Sequence, residues 1–183
     1  MNTAFEPKIL TAEQARAERD RLHADGKKLV FTNGCFDILH RGHVTYMGFA
    51  RSLGDALCVG LNSDASVRRN KGPNRPINPE EDRAWVLGSL RAVDCVVFFD
   101  EDEPKDIIGK ILPQVLVKSR DWAHYVSGRD IVEANGGKVV LADMVEGRSS
   151  TGTIERVLEV YGNNEKPDVK SMDAAAKKKE ASQ

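Results

Sequence analysis

Five short apolar runs, each separated from the next by a segment with helical spacing, restrict the fold of this chain more than any other feature. The runs are rich in Val, Leu and Phe, and they lie at 29–32, 56–61, 95–99, 115–117 and 138–142. Runs that are apolar throughout, without alternation, are typical of strands buried on both faces of a parallel sheet. We therefore predict an α/β protein with a single doubly wound, Rossmann-like parallel sheet of five strands and helices on both faces.

The segments between the runs predict the covering helices, at 43–53, 64–69, 79–91, 103–111, 128–135 and 150–161. Asn78, Pro79 and Glu81 form a typical helix start, with a cap, a proline at the first position and an early acidic residue. Before the first run, residues at helical spacing end at Leu22, and Gly26 follows as a C-terminal cap. These signals place helices on either side of every predicted strand.

The chain divides into three segments by composition. We predict a lead-in helix at 1–26, one α/β domain at 27–162 and a disordered charged tail at 163–183. A chain of 183 residues fills one medium domain. The tail has almost no bulky apolar residue, so burial cannot offset the entropy of ordering it.

Charge and hydropathy exclude several classes of protein. The 27 basic and 28 acidic residues give a formal net charge of −1, so global charge indicates neither a nucleic-acid nor a membrane partner. No apolar run approaches the roughly 20 residues of a membrane helix, and the start lacks the order of a secretory signal. Cys58 and Cys95 lie in strand-like runs, which favours buried thiols over disulfides. We expect a cytoplasmic protein.

The richest segment, TNGCFDILHRGHVTYM, follows the first run, where ligands of doubly wound sheets bind. It places His40 and His43 three residues apart at a helix start, beside unpaired backbone N–H groups and the positive end of the helix dipole. Gly42 between them lets a phosphate approach the backbone closely. Imidazoles there can donate hydrogen bonds to oxygens that gain charge during phosphoryl transfer, without either acting as a nucleophile.

Other interpretations of this segment remain open. Histidines near a helix start are often structural, and Cys35, His40 and His43 could together bind zinc, although their spacing fits no common zinc site. A metal-dependent hydrolase and a non-catalytic nucleotide-binding module are therefore alternatives to a nucleotidyltransferase. Tightly bound zinc would favour the hydrolase.

Stretches of sequence beyond the histidine segment resemble one group of enzymes. FTNGCFDILHRGHVTYM, GLNSDASVRR, KGPNRPINPEEDR, ILPQVLVKSRDW and EGRSST, spread over 29–160, resemble the HxGH cytidylyltransferase-like nucleotidyltransferases. Within that group they are most similar to the bacterial D-glycero-β-D-manno-heptose 1-phosphate adenylyltransferases. The resemblance implies transfer of AMP from ATP to a sugar 1-phosphate, giving ADP-heptose, a lipopolysaccharide precursor, and pyrophosphate. It also implies Mg²⁺ on the ATP and a homodimer.

The resemblance implies roles for individual residues. The catalytic set is His40, His43, Lys71 and Arg83. The nucleotide-binding set is Thr32, Asn33, Gly34, Phe36, Gly42, Asp121, Trp122, Ser149, Ser150 and Thr151. The acceptor-binding set is Asp37, Asn62, Asp64, Arg75 and Lys118, with Asp37 orienting the acceptor or the metal.

One segment that departs from the heptose enzymes leaves an alternative open. Lys118-Ser119-Arg120-Asp121-Trp122 stands where those enzymes typically show Lys-Gly-Gly-Asp-Tyr, and Asp-Trp there is closer to the glycerol-3-phosphate cytidylyltransferases. Those cytidylyltransferases, however, carry an arginine at the position of Met144. A cytidylyltransferase that uses CTP with glycerol 3-phosphate is therefore the alternative within the family.

The composition of the tail generates a first prediction. Deleting residues 163–183 should change neither the melting temperature nor the activity appreciably, because the tail has no apolar surface to bury. Thermal unfolding and turnover of the truncated and full-length chains would be compared, and loss of soluble protein on truncation would contradict the prediction.

Overall fold

The computed structural model describes residues 6–162, which belong to two compact units, one ending at Arg148 and the other beginning at Ser149. The strands are β1 (Ile9–Leu10), β2 (Leu29–Gly34), β3 (Ala56–Asn62), β4 (Cys95–Phe99), β5 (Val115–Ser119) and β6 (Lys138–Ala142). The helices are α1 (Ala12–Ala24), α2 (Arg41–Arg51), α3 (Asp64–Lys71), α4 (Glu80–Gly88), α5 (Lys105–Ile111), α6 (Arg129–Ala134) and α7 (Ser150–Tyr161).

The described strands form one parallel sheet in the order β1-β4-β3-β2-β5-β6. The predicted α/β fold with a parallel sheet is confirmed, but the predicted number of strands is wrong, because the sheet has six. The additional strand, β1, has two residues and pairs Ile9 with Val96 and Leu10 with Val97 at the sheet edge. A pair of apolar residues is too short to produce a strand pattern in the sequence.

The order of the strands fixes where a ligand can bind. The chain runs from β2 through β3 to β4 on one side of the sheet and then returns to β5 and β6 on the other side of β2. The strand order therefore reverses between β2 and β5, and their carboxyl ends form the topological switch point.

Both faces of the sheet carry a buried apolar core. Leu29 and Phe31 contribute to one core together with Ile108 of α5. Val30 contributes to the other core with Met47 of α2 and belongs to the same strand. Because successive residues of a strand point to opposite faces, a strand covered on both sides must be apolar throughout. This explains the uninterrupted runs in the sequence.

Local sequence signals predicted the end of α1 correctly but not the start of α4. Thr11 and Gln14 form a capping box on α1, and Gly26 takes the left-handed conformation (φ 71°) after it. The predicted Asn78 cap of α4 is wrong, since Pro79 occupies the cap position. The Asn78 side-chain amide donates to the Asp37 carbonyl oxygen at 2.7 Å instead.

The second unit is described only by its helix α7, in which the side-chain oxygen of Ser149 accepts a hydrogen bond from the Gly152 N–H at 2.9 Å. The predicted tail at 163–183 lies outside the described residues. Across 6–162, no helix combines the length and the hydropathy needed to cross a bilayer.

A close contact inside the sheet generates a second prediction. A Cβ placed on Gly60 of β3 would lie 2.6 Å from Cζ of Phe31 and 3.0 Å from Cβ of Asn33. Gly60→Ala should therefore lower the free energy of unfolding by about 1–3 kcal/mol through overpacking.

The matched control is Gly48→Ala on the exposed face of α2, where a Cβ would meet nothing within 4 Å. This change should raise the free energy of unfolding by up to about 1 kcal/mol, because alanine favours the helix. Chemical denaturation measures both, and equal stability of the two variants would contradict the packing argument.

Candidate active site

Hydrogen bonds join the carboxyl end of β2 to α2 and β5. The buried Thr32 hydroxyl lies 2.7 Å from the Tyr46 hydroxyl, which donates to the Val117 carbonyl oxygen at 3.0 Å. Burial raises the pKa of Tyr46 to about 12, so this phenol stays protonated. Thr32 thus holds the framework together, and its predicted contact with the nucleotide stays a prediction.

The turn that follows β2 is built around Phe36. A Cβ on Gly34 would lie 3.1 Å from the Phe36 ring, so the small residue lets the ring fold back over the strand end. Phe36 itself takes a positive φ of 42°, and its buried ring meets the His43 ring edge-on at a centroid distance of 5.4 Å. The Phe36 ring therefore packs against a histidine ring, and its predicted contact with the nucleotide stays a prediction.

His40 and His43 form a stacked pair at the start of α2. Their ring centroids lie 3.9 Å apart with an interplanar angle of 22°. A Cβ on Gly42 would approach the His40 ring to 3.0 Å, so Gly42 makes this stacking possible. Within residues 6–162, the Nδ1 atoms of both rings are buried without a hydrogen-bond partner. Such orphaned polar atoms cost free energy unless a ligand or a solvent molecule satisfies them.

The two imidazoles are neutral near pH 7. Burial, with a smaller contribution from the charge of His40, lowers the pKa of His43 to about 4. Burial and the positive charge of Arg148 lower the pKa of His40. Each neutral ring offers one N–H donor and one acceptor nitrogen. The pair can therefore donate hydrogen bonds to phosphate oxygens without first taking up protons.

Arg83 of α4 is buried and links three segments. Its guanidinium donates to the carbonyl oxygens of Asn78 (3.0 Å), Cys35 (2.6 Å) and Asn62 (2.9 Å) and to the Asp64 carboxylate (2.8 Å). Its side chain has no exposed surface. The guanidinium thereby fixes the ends of β2 and β3. The predicted contact of Arg83 with the triphosphate stays a prediction. Asp64 and Asn62 belong to the same framework, and their predicted contact with the acceptor stays a prediction.

Asp37 has its own set of partners. Its carboxylate accepts hydrogen bonds from the backbone N–H groups of Ile77 (2.8 and 2.9 Å) and Asn78 (2.9 Å) and from Nε of Arg75 (2.5 Å). Burial raises the pKa of Asp37, but the hydrogen bonds from Asn78, Ile77 and Arg75 outweigh that effect and hold it below its ordinary value. Both oxygens accept hydrogen bonds within the chain, and the side chain has no exposed surface. The predicted orientation of an acceptor or metal by Asp37 stays a prediction.

Three basic side chains, those of Lys71, Arg75 and Arg83, lie near the loop that follows β2. Burial raises the pKa of the Cys35 thiol, and the charges of Lys71, Arg83 and Arg75 act on it in the opposite direction. Lys71 ends α3 with an exposed side chain, and its ammonium has no hydrogen bond or ion pair within residues 6–162. It is thus available to an anionic ligand, in contrast to Arg83.

Lys118 lies at the other side of the switch point. Its Nζ donates to Oδ1 of Asn33 at 2.5 Å, which joins the ends of β5 and β2. Burial lowers the pKa of Lys118 to about 8, so an anion that entered beside it would stabilise the charged form. The two residues face the position where the sheet order reverses.

The segment after β5 is open to solvent. Asp121 and Trp122 lie in a short 3₁₀ helix, and the indole is 54% exposed with its ring stacked on His124 at a centroid distance of 6.2 Å. Arg120 forms an ion pair with Asp143, which follows β6. The exposed indole is free to stack on a base.

The remaining predicted residues belong to the second unit. There Ser149 is the N-cap of α7, and Ser150 and Thr151 occupy its first turn. Their predicted contact with the nucleotide phosphates stays a prediction.

Sequence reasoning missed Arg148. Its charge acts on His40, and its Cβ lies 3.4 Å from the position that a Cβ on Gly42 would take. A single exposed arginine in a loop carries no signal of such proximity, because the contact joins segments about a hundred residues apart.

The described residues do not favour a metal-binding set. Within 6–162, no three His, Cys, Asp or Glu side chains come together as potential metal ligands. Cys35, His40 and His43 thus do not form the zinc set considered above.

The sequence is similar to a known protein family and to several curated proteins. Residues 31–173 match the family described as cytidylyltransferase-like. The chain is 50% identical over 158 residues to the bifunctional protein HldE of Syntrophotalea carbinolica, covering 86% of this chain and 32% of that protein. It is 54% identical over 140 residues to the bifunctional protein HldE of Geobacter sulfurreducens, covering 76% and 29%. The chain thus spans about a third of the length of these relatives.

Solved structures show the same fold. A lipopolysaccharide core biosynthesis protein from Thermoplasma volcanium is 26% identical, with a TM-score of 0.55 over 67% of this chain and 100% of that one. Pantoate-beta-alanine ligase from Francisella tularensis, at 16% identity, reaches a TM-score of 0.56 over 84% of this chain and 80% of that one. The second likeness concerns the fold alone.

The depressed pKa of His43 generates a third prediction. The folded protein holds this pKa at about 4, below its ordinary value of 6.5, so the unfolded chain binds more protons between those pH values. The free energy of unfolding should therefore fall as the pH falls from 6.5 to 4. His43→Gln should lack this contribution, which is on the order of 1–2 kcal/mol once the partial exposure of the ring is discounted.

Denaturant unfolding at pH 7, 6, 5 and 4.5 measures the difference between the wild-type protein and His43→Gln. Because the two proteins differ only at residue 43, the difference between their profiles removes the contributions of all other titrating groups. Parallel pH profiles for the two proteins would show that His43 is not a buried neutral base.

Proposed function

Because the chain belongs to the cytidylyltransferase-like family, we propose that it is a nucleotidyltransferase that transfers AMP from ATP to a sugar 1-phosphate. The single observation that carries this proposal is the stacked, neutral pair of His40 and His43 at the start of α2, with both Nδ1 atoms buried and unpartnered within 6–162. A helix start at the switch point of a parallel sheet is a phosphate site, and neutral imidazole donors suit phosphate oxygens.

The acceptor that we propose is D-glycero-β-D-manno-heptose 1-phosphate, with ADP-heptose as the product. The stretches LNSDASVRR and RPINPEEDR and the ILP-x-VLVK run support this choice through their resemblance to the heptose enzymes. Identities of 50% and 54% to two bifunctional HldE proteins agree with it. So does the 26% identity to a lipopolysaccharide core biosynthesis protein.

The reaction is a single in-line displacement. An oxygen of the acceptor phosphate forms a bond to the α-phosphorus of ATP while the bond from that phosphorus to the bridging oxygen breaks, and pyrophosphate carries away the electron pair. His40 and His43 donate hydrogen bonds to the phosphate oxygens, and the unpaired ammonium of Lys71 neutralises charge that develops there. No general base is needed, because a phosphate monoester has a second pKa of about 6 and is already ionised near neutral pH.

Arg83 and Asp37 act on this reaction indirectly, through the backbone that they hold in place. Arg83 fixes the carbonyl oxygens of Cys35 and Asn62, and Asp37 fixes the backbone at Ile77 and Asn78. The loop before the histidine pair and the loop before α4 are thereby held rigid. Rigid surroundings lower the cost of reorganisation when charge develops in the transition state.

We propose that Mg²⁺ enters with ATP, bound to the oxygens of the triphosphate. It would there offset charge on the departing pyrophosphate. The resemblance to the heptose enzymes also supports a homodimer in the cytoplasm.

A cytidylyltransferase that uses CTP and glycerol 3-phosphate is the second candidate. The observation that favours it is the Asp121-Trp122 pair, whose indole is exposed beyond the end of β5. Met144 speaks against it, since the resemblance to cytidylyltransferases would place an arginine there.

The fourth prediction tests the substrates. With Mg²⁺ and D-glycero-β-D-manno-heptose 1-phosphate, the protein should release pyrophosphate faster from ATP than from CTP, because a few hydrogen bonds to the exocyclic groups can reject the wrong base by several kcal/mol. Pyrophosphate release would be measured for ATP, CTP, GTP and UTP, each against heptose 1-phosphate, glycerol 3-phosphate and ethanolamine phosphate.

Turnover with CTP and glycerol 3-phosphate alone would overturn the heptose assignment and keep the nucleotidyltransferase one. The control is His43→Ala, which should lower turnover by about two to three orders of magnitude. Circular dichroism would verify that this variant is folded, and undiminished pyrophosphate release from it would exclude His43 from the reaction.

A further inference from the structure

Arg148, the last residue of the first unit, lies beside the start of α2. A Cβ placed on Gly42 would come within 3.0 Å of Nδ1 and Cε1 of His40 and within 3.4 Å of the Arg148 Cβ. The His40 ring and the Arg148 side chain thus flank the same small space over Gly42. Arg148 is exposed, and within residues 6–162 its guanidinium has no hydrogen bond or ion pair. Its positive charge is therefore uncompensated next to the histidine pair.

Among the charged groups of residues 6–162, Arg148 is the one whose charge acts on His40. Burial and, second, the positive charge of Arg148 lower the pKa of His40. The first turn of α2 has no acidic residue, whereas the first turns of α1, α3, α4, α5 and α6 each have at least one. The charged groups near the loop after β2 act on Cys35 instead, and they are Lys71, Arg83, Arg75 and Asp37. Across 6–162, no carboxylate thus offsets the effect of Arg148 on His40.

His43 cannot replace His40 as a proton acceptor. Burial, with a smaller contribution from the charge of His40, lowers the pKa of His43 to about 4. The two rings stack at a centroid distance of 3.9 Å, so protonation of both would place two positive charges in contact. The pair therefore holds at most one proton near neutral pH, and His40 is the ring that can accept it.

A bound triphosphate would reverse the charge around His40. Phosphate oxygens beside the rings carry negative charge, which favours the protonated form of an imidazole. The guanidinium of Arg148 can form charge-assisted hydrogen bonds with the same phosphates, because it has no partner to leave within 6–162. Its effect on His40 would then be compensated by the ligand. Both changes increase the proton affinity of His40.

We propose that Arg148 is a positioning residue that keeps His40 uncharged in the free protein, and that His40 takes up one proton when a nucleoside triphosphate binds at the histidine pair. The proton comes from solvent and binds the ring nitrogen that lacks one, so His40 becomes an imidazolium with two N–H donors. Binding of the triphosphate rests on the proposed function, whereas the effect of Arg148 on the free protein does not. By reciprocity, a lower pH strengthens nucleotide binding in the range where His40 takes up its proton.

The fifth prediction is measured in two steps, neither of which needs turnover. The first step is a pH titration of the His40 Cε1–H resonance by ¹H NMR in the free protein. Arg148→Gln should raise the pKa of His40, because a nearby positive charge is removed, and Arg148→Lys should stay closer to the wild-type protein, because it keeps that charge. The matched control is Arg91→Gln, which removes the same charge from an exposed position between α4 and β4, at the opposite end of the sheet. It should leave the pKa of His40 unchanged.

The second step counts the protons taken up on binding. Isothermal titration calorimetry is performed with Mg²⁺ and α,β-methylene-ATP, whose α-phosphorus resists transfer, at pH 6.5 in two buffers of different ionisation enthalpy. The wild-type protein should take up on the order of half a proton per nucleotide more than His40→Gln does. Arg148→Gln should take up less than the wild-type protein, because its free His40 is already partly protonated, and Arg91→Gln should match the wild-type protein. Protons exchanged by the nucleotide itself are common to all these proteins, so the differences report on His40.

An unchanged pKa of His40 in Arg148→Gln would overturn the proposal, and so would equal proton uptake by the wild-type protein and His40→Gln. A rise of the His40 pKa in Arg91→Gln as large as that in Arg148→Gln would also overturn it, because a general change of charge has that effect. Arg148→Ala repeats both measurements if Arg148→Gln does not fold. Absence of turnover by the wild-type protein with every acceptor would contradict the transferase function and leave both titrations valid.

Discussion

The buried guanidinium of Arg83 is the interaction on which the carboxyl end of the sheet depends. It is a cation with no exposed surface that joins the end of β3, the loop after β2 and the start of α4. A buried charge is tolerated only when it is paired and hydrogen-bonded, and here three carbonyl oxygens and Asp64 fulfil that condition. Loss of Asp64 would leave the charge uncompensated, and displacement of a carbonyl oxygen would leave a buried donor unsatisfied, so the local backbone has little freedom to vary.

The site that this framework supports separates two kinds of donor. The stacked histidines are neutral, buried and positioned by Phe36 and Gly42, and they offer hydrogen bonds without a net charge. Lys71 and Arg75 supply positive charge from flanking segments. The ammonium of Lys71 and the terminal nitrogens of Arg75 remain unpaired within 6–162. The two acidic residues of this region, Asp37 and Asp64, are each paired with an arginine, Arg75 and Arg83 respectively.

Much of this architecture was predictable from the sequence, because strand runs and helix starts are local patterns. The runs at 29–32, 56–61 and 95–99 became β2, β3 and β4 with small changes at their ends. The two-residue strand β1 was not predicted, because its pairing with β4 is a tertiary contact without a local sequence pattern. Proximity of the two histidines was predictable from helical spacing, and their stacking was not, since it depends on how Phe36 and Gly42 pack.

The hydrogen-bond partners of Asp37 and Arg83 could not be predicted, since a carboxylate or a guanidinium looks the same in a sequence whatever it contacts. Their partners lie 40 and 48 residues away along the chain, for Ile77 and Cys35 respectively. Those separations also govern how the molecule folds. Contacts of this range require the intervening loops to close first, and parallel sheets contribute contacts of the same range throughout. We therefore expect the contacts of Asp37 and Arg83 to be among the last features to form, so that a chain in which they are made has already completed the central part of its sheet.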